Sequence, residues 1–538
     1  MKMNCPFIIK NRTILLSAGA IASVVSCKDV SLNKEKPPNI LIILTDDLGY
    51  SDPGCFGGDI PTPNIDRLAA EGMRMLNFYT CPVSAPTRAS LLTGLYATRA
   101  GVGRMGLRTE IPEYGEHIRD DCTTIAENLK NNGYVTYLSG KWHLGSQDGE
   151  RPAQRGFDRS YSTLAGAGDY YRPSTLHVDD KPVKPDDPDY YVTCQFTENA
   201  INYIKEAGDN PFFLYLSYTA PHWPLQAPGE EVDKYIDFYM QGWDVLRKAR
   251  FENQKRMEII SPQTAFPPRD ERVAAWDSLN ETDQKTWAMK MAVYAAMVNI
   301  VDQGIGKVIK VLEEKNELDN TIIMFLSDNG GCPWRSASYV EDTPADADAQ
   351  TPGSSIYYDF NWAQVSTTPH YSYKRFAYDG GVNVPFIVRY PHMVKAGTLS
   401  KVHAHVIDLL PTCLDYTGTK LLATFRGNKT QKLDGVSLKN VFAGSEESVH
   451  DIIAWEHNGE RGLLKGNWKI VWNQADRIEA WQLFDMTKDG GVELNDLSGK
   501  YPEKLNELVQ EYDAWTKRNK VLTPEEVQKL PRLRSDAS

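Results

Sequence analysis

This chain has no Cys-x-x-Cys pair, no histidine-rich metal motif among its 10 histidines, and no internal repeat or extended low-complexity tract. The first absence removes a cysteine-rich zinc site. Cysteine itself is scarce. Setting aside Cys5 and Cys27 near the start leaves Cys55, Cys81, Cys122, Cys194, Cys332 and Cys413, scattered through a chain of 538 residues. That is no disulfide scaffold, although one or two bridges stay open. Net positive charge is also missing: 59 Lys and Arg face 71 Asp and Glu, for a net charge of −12. A broadly acidic surface argues against nucleic acid as a partner and gives no long-range steering to an anion. Any anionic ligand must therefore be held by a local cluster of cations. What is present is a globular composition, 41% hydrophobic and 24% charged, long enough for a large core and one satellite domain.

The apolar run at residues 14–26 falls short of the roughly 20 residues that span a bilayer as a helix. With Lys2, Lys10 and Arg12 around its start, it reads as a cleaved export signal over residues 1–26. Val24-Val25-Ser26-Cys27 looks like a bacterial lipobox. Cys27 is then the lipidated N-terminus, and the polar residues 27–36 form a tether. Simple secretion with cleavage nearby is the alternative. The expected setting is an exported bacterial lipoprotein, periplasmic or at the cell surface, touching the membrane only through its lipid.

Residues 39–45 form a continuous apolar run that stops at Asp46-Asp47. Such a run predicts a strand buried on both faces, as in a parallel sheet. Similar runs lie at 134–138, 212–217, 321–327 and 384–389. Helical patterns lie between them at 64–71, 122–131, 197–206, 286–314 and 406–416. The alternation predicts a doubly wound α/β fold, with a large, mostly parallel sheet sandwiched by helices. Residues 226–285 read as a polar insertion with helical stretches, and 332–372 as a long loop. From about residue 420 short strands separated by turns, then a helix at 502–517, predict a small antiparallel sheet with one packed helix. The expected division is a catalytic domain at 37–420 and a C-terminal subdomain at 421–538.

In open α/β sheets, ligands bind beyond the carboxyl ends of the strands. Polar candidates cluster there. Asp46 and Asp47 follow one strand; Asp328 and Asn329 follow another and precede Gly330-Gly331. Four oxygen donors from two strand ends suit a hard cation, Ca²⁺ ahead of Mg²⁺ and well ahead of zinc. Taken singly, either pair also reads as turn and capping residues. Lys141 and His143 follow the strand at 134–138, and their i, i+2 spacing predicts a shared direction if the strand continues. His222 follows the strand at 212–217, and Lys374 lies in a loop before Asp379-Gly380-Gly381. A lone histidine in such a place is also an ordinary packed or surface residue. The case rests on the number of such residues and on their common position.

Ser84-Ala85-Pro86-Thr87-Arg88, continued by Leu92-Thr93-Gly94, also reads as a Ser/Pro turn before a helix. Yet it resembles the modification signature of type I sulfatases, in which the first position is oxidised to formylglycine. Cys81 is the rival nucleophile, but it lies outside the Ser-x-Pro-x-Arg frame. Gly140-Lys141-Trp142-His143-Leu144-Gly145, Pro221-His222 and Ser327-Asp328-Asn329-Gly330 follow in the order of that family, within the alkaline phosphatase superfamily. Residues 242–247, 294–297 and 361–363 are similar to the bacterial arylsulfatase subgroup. Two positions depart from the pattern: Asp379 replaces the usual Glu, and His370 stands where the subgroup tends to have an aromatic residue, which bears on an aryl pocket and makes His370 a candidate substrate contact.

The resemblance implies a formylglycine made from Ser84 by a partner maturase, with Arg88 and Lys141 holding its hydroxyls. It implies His143 as the base for the second hydroxyl, and His222 and Lys374 as grips on the ester, one of them protonating the leaving oxygen. Asp46, Asp47, Asp328 and Asn329 are then the ligands of one Ca²⁺. The expected substrate is a sulfated carbohydrate, with aryl sulfates as the alternative. A two-metal phosphatase of the same superfamily and a non-catalytic glycan-binding lipoprotein are the remaining readings; the first is disfavoured by the missing histidine motif.

Overall fold

The computed structural model of the chain describes residues 36–333, 356–474, 478–488 and 490–533. The expected export signal, Cys27 and all but the last residue of the expected tether lie outside the described residues, as does much of the predicted loop at 332–372. Residues Pro37–Ser538 make one compact unit by internal contacts. Among the described residues no helix is long and apolar enough to cross a membrane.

The core is an 11-stranded sheet. Its strands are β1 (Asn39–Thr45), β2 (Met73–Tyr79), β3 (Val135–Lys141), β4 (Arg159–Thr163), β5 (Leu176–Val178), β6 (Lys181–Pro182), β7 (Phe212–Ser217), β8 (Thr321–Ser327), β9 (Asn383–Arg389), β10 (Thr398–Ser400) and β11 (Ala404–His405). The spatial order is β10-β2-β9-β8-β1-β7-β3-β4-β5-β6, with β11 beside β2. Every residue of β1, β7 and β8 is buried, because helices cover both faces of this sheet. One hydrophobic cluster forms on each side: Leu41 and Ile43 point into one, Ile40 and Ile42 into the other. The period-2 alternation of a strand divides them in this way.

Strands β1, β7, β8, β3 and β4 run parallel. Strand β9 is antiparallel to both β8 and β2, so β2 runs with β8. The consequence is chemical. The C-terminal ends of β1, β2, β3, β7 and β8, and the N-terminal end of β9, all lie on one edge of the sheet. Asp46, Lys141, Asp328, the segment leading to Ser84, the segment holding His222 and the loop holding Lys374 meet there by topology alone.

A hairpin, β12 (Thr424–Phe425) and β13 (Asn428–Lys429), precedes a four-stranded antiparallel sheet. Its strands are β14 (Ile452–His457), β15 (Glu460–Lys465), β16 (Trp468–Asn473) and β17 (Ile478–Asp485), in that spatial order. Helix Pro502–Asn519 packs Leu508, Tyr512 and Trp515 against Leu463, Ile470 and Leu483 of this sheet. A buried charge cluster ties the small sheet to the loop of Lys374. Lys469 on β16 pairs with Asp379 and, at 2.7 Å, with Glu493. Glu493 also accepts the backbone N–H of Asp379 at 3.0 Å. Shortening Glu to Asp at 379 is thus accommodated by a lysine that reaches it.

Candidate functional site

Ser84 opens a ten-residue helix, Ser84–Thr93, that is buried along its whole length. Pro86 is tolerated because the first-turn N–H groups have no partner inside the helix. Residues four apart share a helix face, so the Ser-x-Pro-x-Arg spacing stacks Arg88 under Ser84. Arg88 Nε donates to Ser84 Oγ at 2.8 Å. The same guanidinium donates to Asp328 Oδ2 at 2.8 and 3.2 Å, to the Lys141 carbonyl at 3.2 Å and to the Ser217 hydroxyl. Among the described residues Ser84 Oγ has no other hydrogen-bond partner. The helix N-terminus adds a positive dipole end at the same point.

The carboxylates and lysines interlock. Lys141 Nζ lies 2.5 Å from Asp46 Oδ2, and Lys374 Nζ lies 2.5 Å from Asp47 Oδ1. Asn329 Nδ2 donates to Asp47 Oδ1 at 2.7 Å, and the Asp47 N–H donates to Asp328 Oδ1 at 3.2 Å. Asp46, Arg88, Lys141, Asp328 and Asn329 have no exposed surface. Burial works against the charge of Lys374, but Asp47 holds it above the usual lysine range. Burial likewise works against Asp47, whose carboxyl Lys374 and His222 hold well below the usual range. Burial, opposed by Asp46 and reinforced by Arg88, lowers Lys141. Burial and then Asp46 raise Asp328.

Glycine explains how the Lys374 loop reaches this point. A Cβ on Gly330 would meet the Gly380 carbonyl oxygen at 1.8 Å. With bare backbones, Gly330 N–H donates to the Gly381 carbonyl at 3.0 Å and Lys374 N–H to the Gly331 carbonyl at 3.1 Å. The loop also reaches the segment before Ser84, where Arg375 N–H donates to the Pro82 carbonyl at 2.7 Å.

His143 does not follow the predicted alternation. Strand β3 ends at Lys141, and His143 adopts φ of 56°, so strand geometry stops before it. Its ring is fitted against Gly166, where an added Cβ would come within 2.4 Å of it. Burial, then the charges of Lys141 and Arg88, push its pKa well below the usual histidine value, and Nδ1 has no hydrogen-bond partner. His222 Nδ1 donates to the Trp223 carbonyl at 2.5 Å, which leaves Nε2 bare and 3.5 Å from Asp47 Oδ2. Burial is the main cause that pushes His222 down to about 3; Asp47 opposes it, and Lys374 and Lys141 add to it.

His370 stands outside this network. Its ring packs edge-on to Tyr50 at 4.4 Å, and Nδ1 lies 3.9 Å from Asp379. It lines a cleft with Arg247, Asp270 and Tyr373. Cys81 is buried with its thiol pushed up to about 11 by burial, so no thiolate forms there near neutral pH. None of the six cysteines is bridged among the described residues. Sequence reasoning did not single out Ser217, Trp223 or Gly166; a serine ending a buried strand and a glycine beside a histidine carry no pattern of their own.

Three oxygens of the acidic cluster have no donor: Asp46 Oδ1, Asp47 Oδ2 and Asn329 Oδ1. Buried acceptors left unpaired are costly and mark a missing partner. The bare Nε2 of His222 beside Asp47 Oδ2 sets two lone pairs face to face, which also calls for a cation. Asp46, Asp47 and His222 offer ligand atoms within 4.8 Å of one another. The three orphaned oxygens, with one imidazole nitrogen beside them, therefore fit one divalent cation bound mainly through oxygen.

A buried hydroxyl at a helix N-terminus, set among fixed cations and beside an acid cluster with unpaired oxygens, is an arrangement able to stabilise a tetrahedral oxyanion. The chain matches the family model named Sulfatase over residues 38–419, and a model named N-sulphoglucosamine sulphohydrolase, C-terminal, over residues 369–515. It belongs to the sulfatase family, and its class is sulfuric ester hydrolase. It is 32% identical to an arylsulfatase of Klebsiella aerogenes over 445 residues, covering 78% of this chain and 96% of that one. It is 28% identical to an N-acetylglucosamine-6-O-sulfatase of Bacteroides thetaiotaomicron over 590 residues, covering 96% and 92%. Among solved structures, the crystal structure of Ps i-CgsB in complex with k-i-k-neocarrahexaose superposes with a TM-score of 0.66 at 27% identity, covering 91% of this chain and 94% of that one.

Proposed function

We propose that this chain is a cell-envelope enzyme that hydrolyses a sulfate monoester on a carbohydrate, with residue 84 carried as formylglycine. In the reaction the ester S–O bond breaks, the sugar oxygen takes a proton, and water supplies the fourth oxygen of sulfate. The observation that carries the reading is Ser84 Oγ, buried 2.8 Å from Arg88 Nε in one network with Lys141 and Lys374. A serine hydroxyl needs a base to become a nucleophile, and here its partner is a guanidinium. Oxidation to an aldehyde changes that: its hydrate offers one hydroxyl to attack sulfur, and loss of the proton from the second re-forms the aldehyde, breaks the C–O bond to the bound sulfate and expels it.

Arg88 and Lys141 orient those hydroxyls and favour their ionised form. His143, kept neutral by burial and its cationic neighbours, accepts the proton of the second hydroxyl. Lys374, held charged by Asp47, and His222 would grip the ester, and one of the two would protonate the leaving oxygen. Asp46, Asp47, Asp328 and Asn329 would hold one Ca²⁺, with Mg²⁺ less suited, and the ion would polarise the ester S–O bonds.

The names of the Bacteroides relative and of the neocarrahexaose complex support a sugar ester, and the ester proposed is 3-O- or 6-O-sulfated galactose or N-acetylhexosamine. His370 is proposed as a substrate-side residue through the cleft it lines. The likeness to the Klebsiella arylsulfatase favours a second reading, turnover of small aryl sulfates. Export by the signal at 1–26, lipidation of Cys27 and oxidation of Ser84 by a maturase complete the proposal. The test is sulfate release by enzyme co-produced with a maturase, on a panel of sulfated sugars and aryl sulfates. Turnover of sugar esters supports the first reading; turnover of aryl esters alone supports the second.

A further inference from the structure

The loop that carries Lys374 is held from behind by the C-terminal sheet. Lys469 on β16 has no exposed surface and pairs with Asp379 and with Glu493. Glu493 comes after β17 and accepts the Asp379 N–H at 3.0 Å. The hydroxyl of the preceding residue, Tyr378, meets Gln482 on β17. Two consecutive residues of the loop are thus anchored through a carboxylate, a peptide N–H and a phenol. Burial works against the charge of Lys469, but Asp379 and Glu493 hold it above the usual lysine range. Burial, opposed by Lys469 and reinforced by Asp379, pushes Glu493 up to about 8. His370 and His403 face Asp379 as well, and burial lowers both below the usual histidine value. Near neutral pH the fixed ion pair is therefore Lys469 with Asp379.

Close backbone contacts carry this anchor through to the site. Asp379 opens a single helical turn, Asp379–Val382, whose glycines lie bare against the loop. A Cβ on Gly380 would meet the Ser372 carbonyl oxygen at 2.1 Å, and one on Gly381 the Tyr373 carbonyl oxygen at 2.4 Å. Ser372 and Tyr373 are the two residues before Lys374. Gly380 N–H also donates to the Tyr371 carbonyl at 2.9 Å. Close-packed atoms transmit a displacement instead of absorbing it. A shift of Asp379 therefore reaches the peptide of Lys374, whose Nζ sits 2.5 Å from Asp47 Oδ1.

We infer that Lys469 is a positioning residue: through Asp379 it fixes the loop that presents Lys374 to the sulfate group. This rests on the sulfatase reading above, in which Lys374 grips the ester. Without Lys469, the buried Asp379 carboxylate loses its cation and must move or take a proton, and either change releases the loop. The test is a double-mutant cycle in the full chain supplied with Ca²⁺, read as calorimetric affinity for inorganic sulfate. This binding needs no turnover. Lys374→Ala and Lys469→Met are each expected to weaken it by about tenfold or more, the scale on which a misplaced contact counts. The double variant is expected to bind no more weakly than Lys374→Ala alone. Affinity is measured well below each protein's melting temperature, where a loss of stability by itself leaves it unchanged. If Lys469→Met does not fold, Asp379→Ala takes its place in the cycle, since Lys469 then keeps Glu493 as its partner.

Wild-type affinity in the variant that removes the ion pair overturns the inference, as do losses that multiply in the double variant. A wild-type chain with no measurable affinity for sulfate overturns it too, because Lys374 then grips no such anion. Coupling in a chain that releases sulfate from no ester would overturn the sulfatase reading and leave the positioning role standing. Sulfate release without coupling would do the reverse.

Discussion

Replacing Arg88 with alanine removes one planar group that joins four others. Its guanidinium is fully buried and contacts Asp328 twice, Ser84, the Lys141 carbonyl and Ser217. Removing one partner of a buried ion pair costs about 3–5 kcal/mol, because the remaining charge is left uncompensated. Total stability of a native protein is about 5–15 kcal/mol, so Arg88→Ala is expected to lose a large share of it. Arg88→Lys restores a charge to Asp328 without the fork that also reaches Ser84, and should recover part of the stability while sulfate release stays depressed. Urea denaturation reads the first effect through the midpoint and slope; kcat/KM reads the second. An Arg88→Ala protein within about 0.5 kcal/mol of wild type, the range of an ordinary surface change, would refute the view that this residue organises the site.

Chelation is expected to lower the melting temperature and Ca²⁺ to restore it, by about 2.7 kcal/mol of stabilisation when the free ion is at 100 times its Kd; a melting curve indifferent to both would contradict the orphaned oxygens of Asp46, Asp47 and Asn329. Burial works against the charge of His450, but Asp408 at 2.8 Å raises it above its usual value of 6.5. A raised folded-state pKa gives stability that is present below about pH 6.5 and lost as pH rises through the folded value. His450→Gln should therefore cost more stability at pH 6 than at pH 9, as thermal denaturation at the two pH values would show. Cys81→Ser should keep sulfate release within about twofold of wild type, since that thiol is buried and protonated; loss of activity by more than tenfold would return Cys81 to consideration.

The buried strands were legible because they are covered on both faces: the runs at 39–45, 212–217 and 321–327 coincide with β1, β7 and β8. Strands β2 and β4 were not. Arg74 and Asn77 interrupt the first, and the second carries Arg159, Ser160 and Ser162, of which the serines are fully buried. Of the site, the Ser84–Arg88 spacing and the acids after β1 and β8 could be read directly, since they depend on local geometry. The direction of His143 could not, because its left-handed backbone ends the alternation. The approach of Lys374 to Asp47 depends on Gly330 meeting Gly380 across 50 residues of chain, a contact no local spacing encodes. The antiparallel course of β9 likewise places the loop directly before it, rather than the residues directly after it, at the reactive edge.

The most direct measurement is the mass of the peptide that contains Ser84, taken from enzyme purified while it is releasing sulfate. Formylglycine predicts a peptide about two hydrogens lighter than the encoded sequence, in proportion to activity across preparations. Full activity from a peptide of unaltered mass would contradict the account.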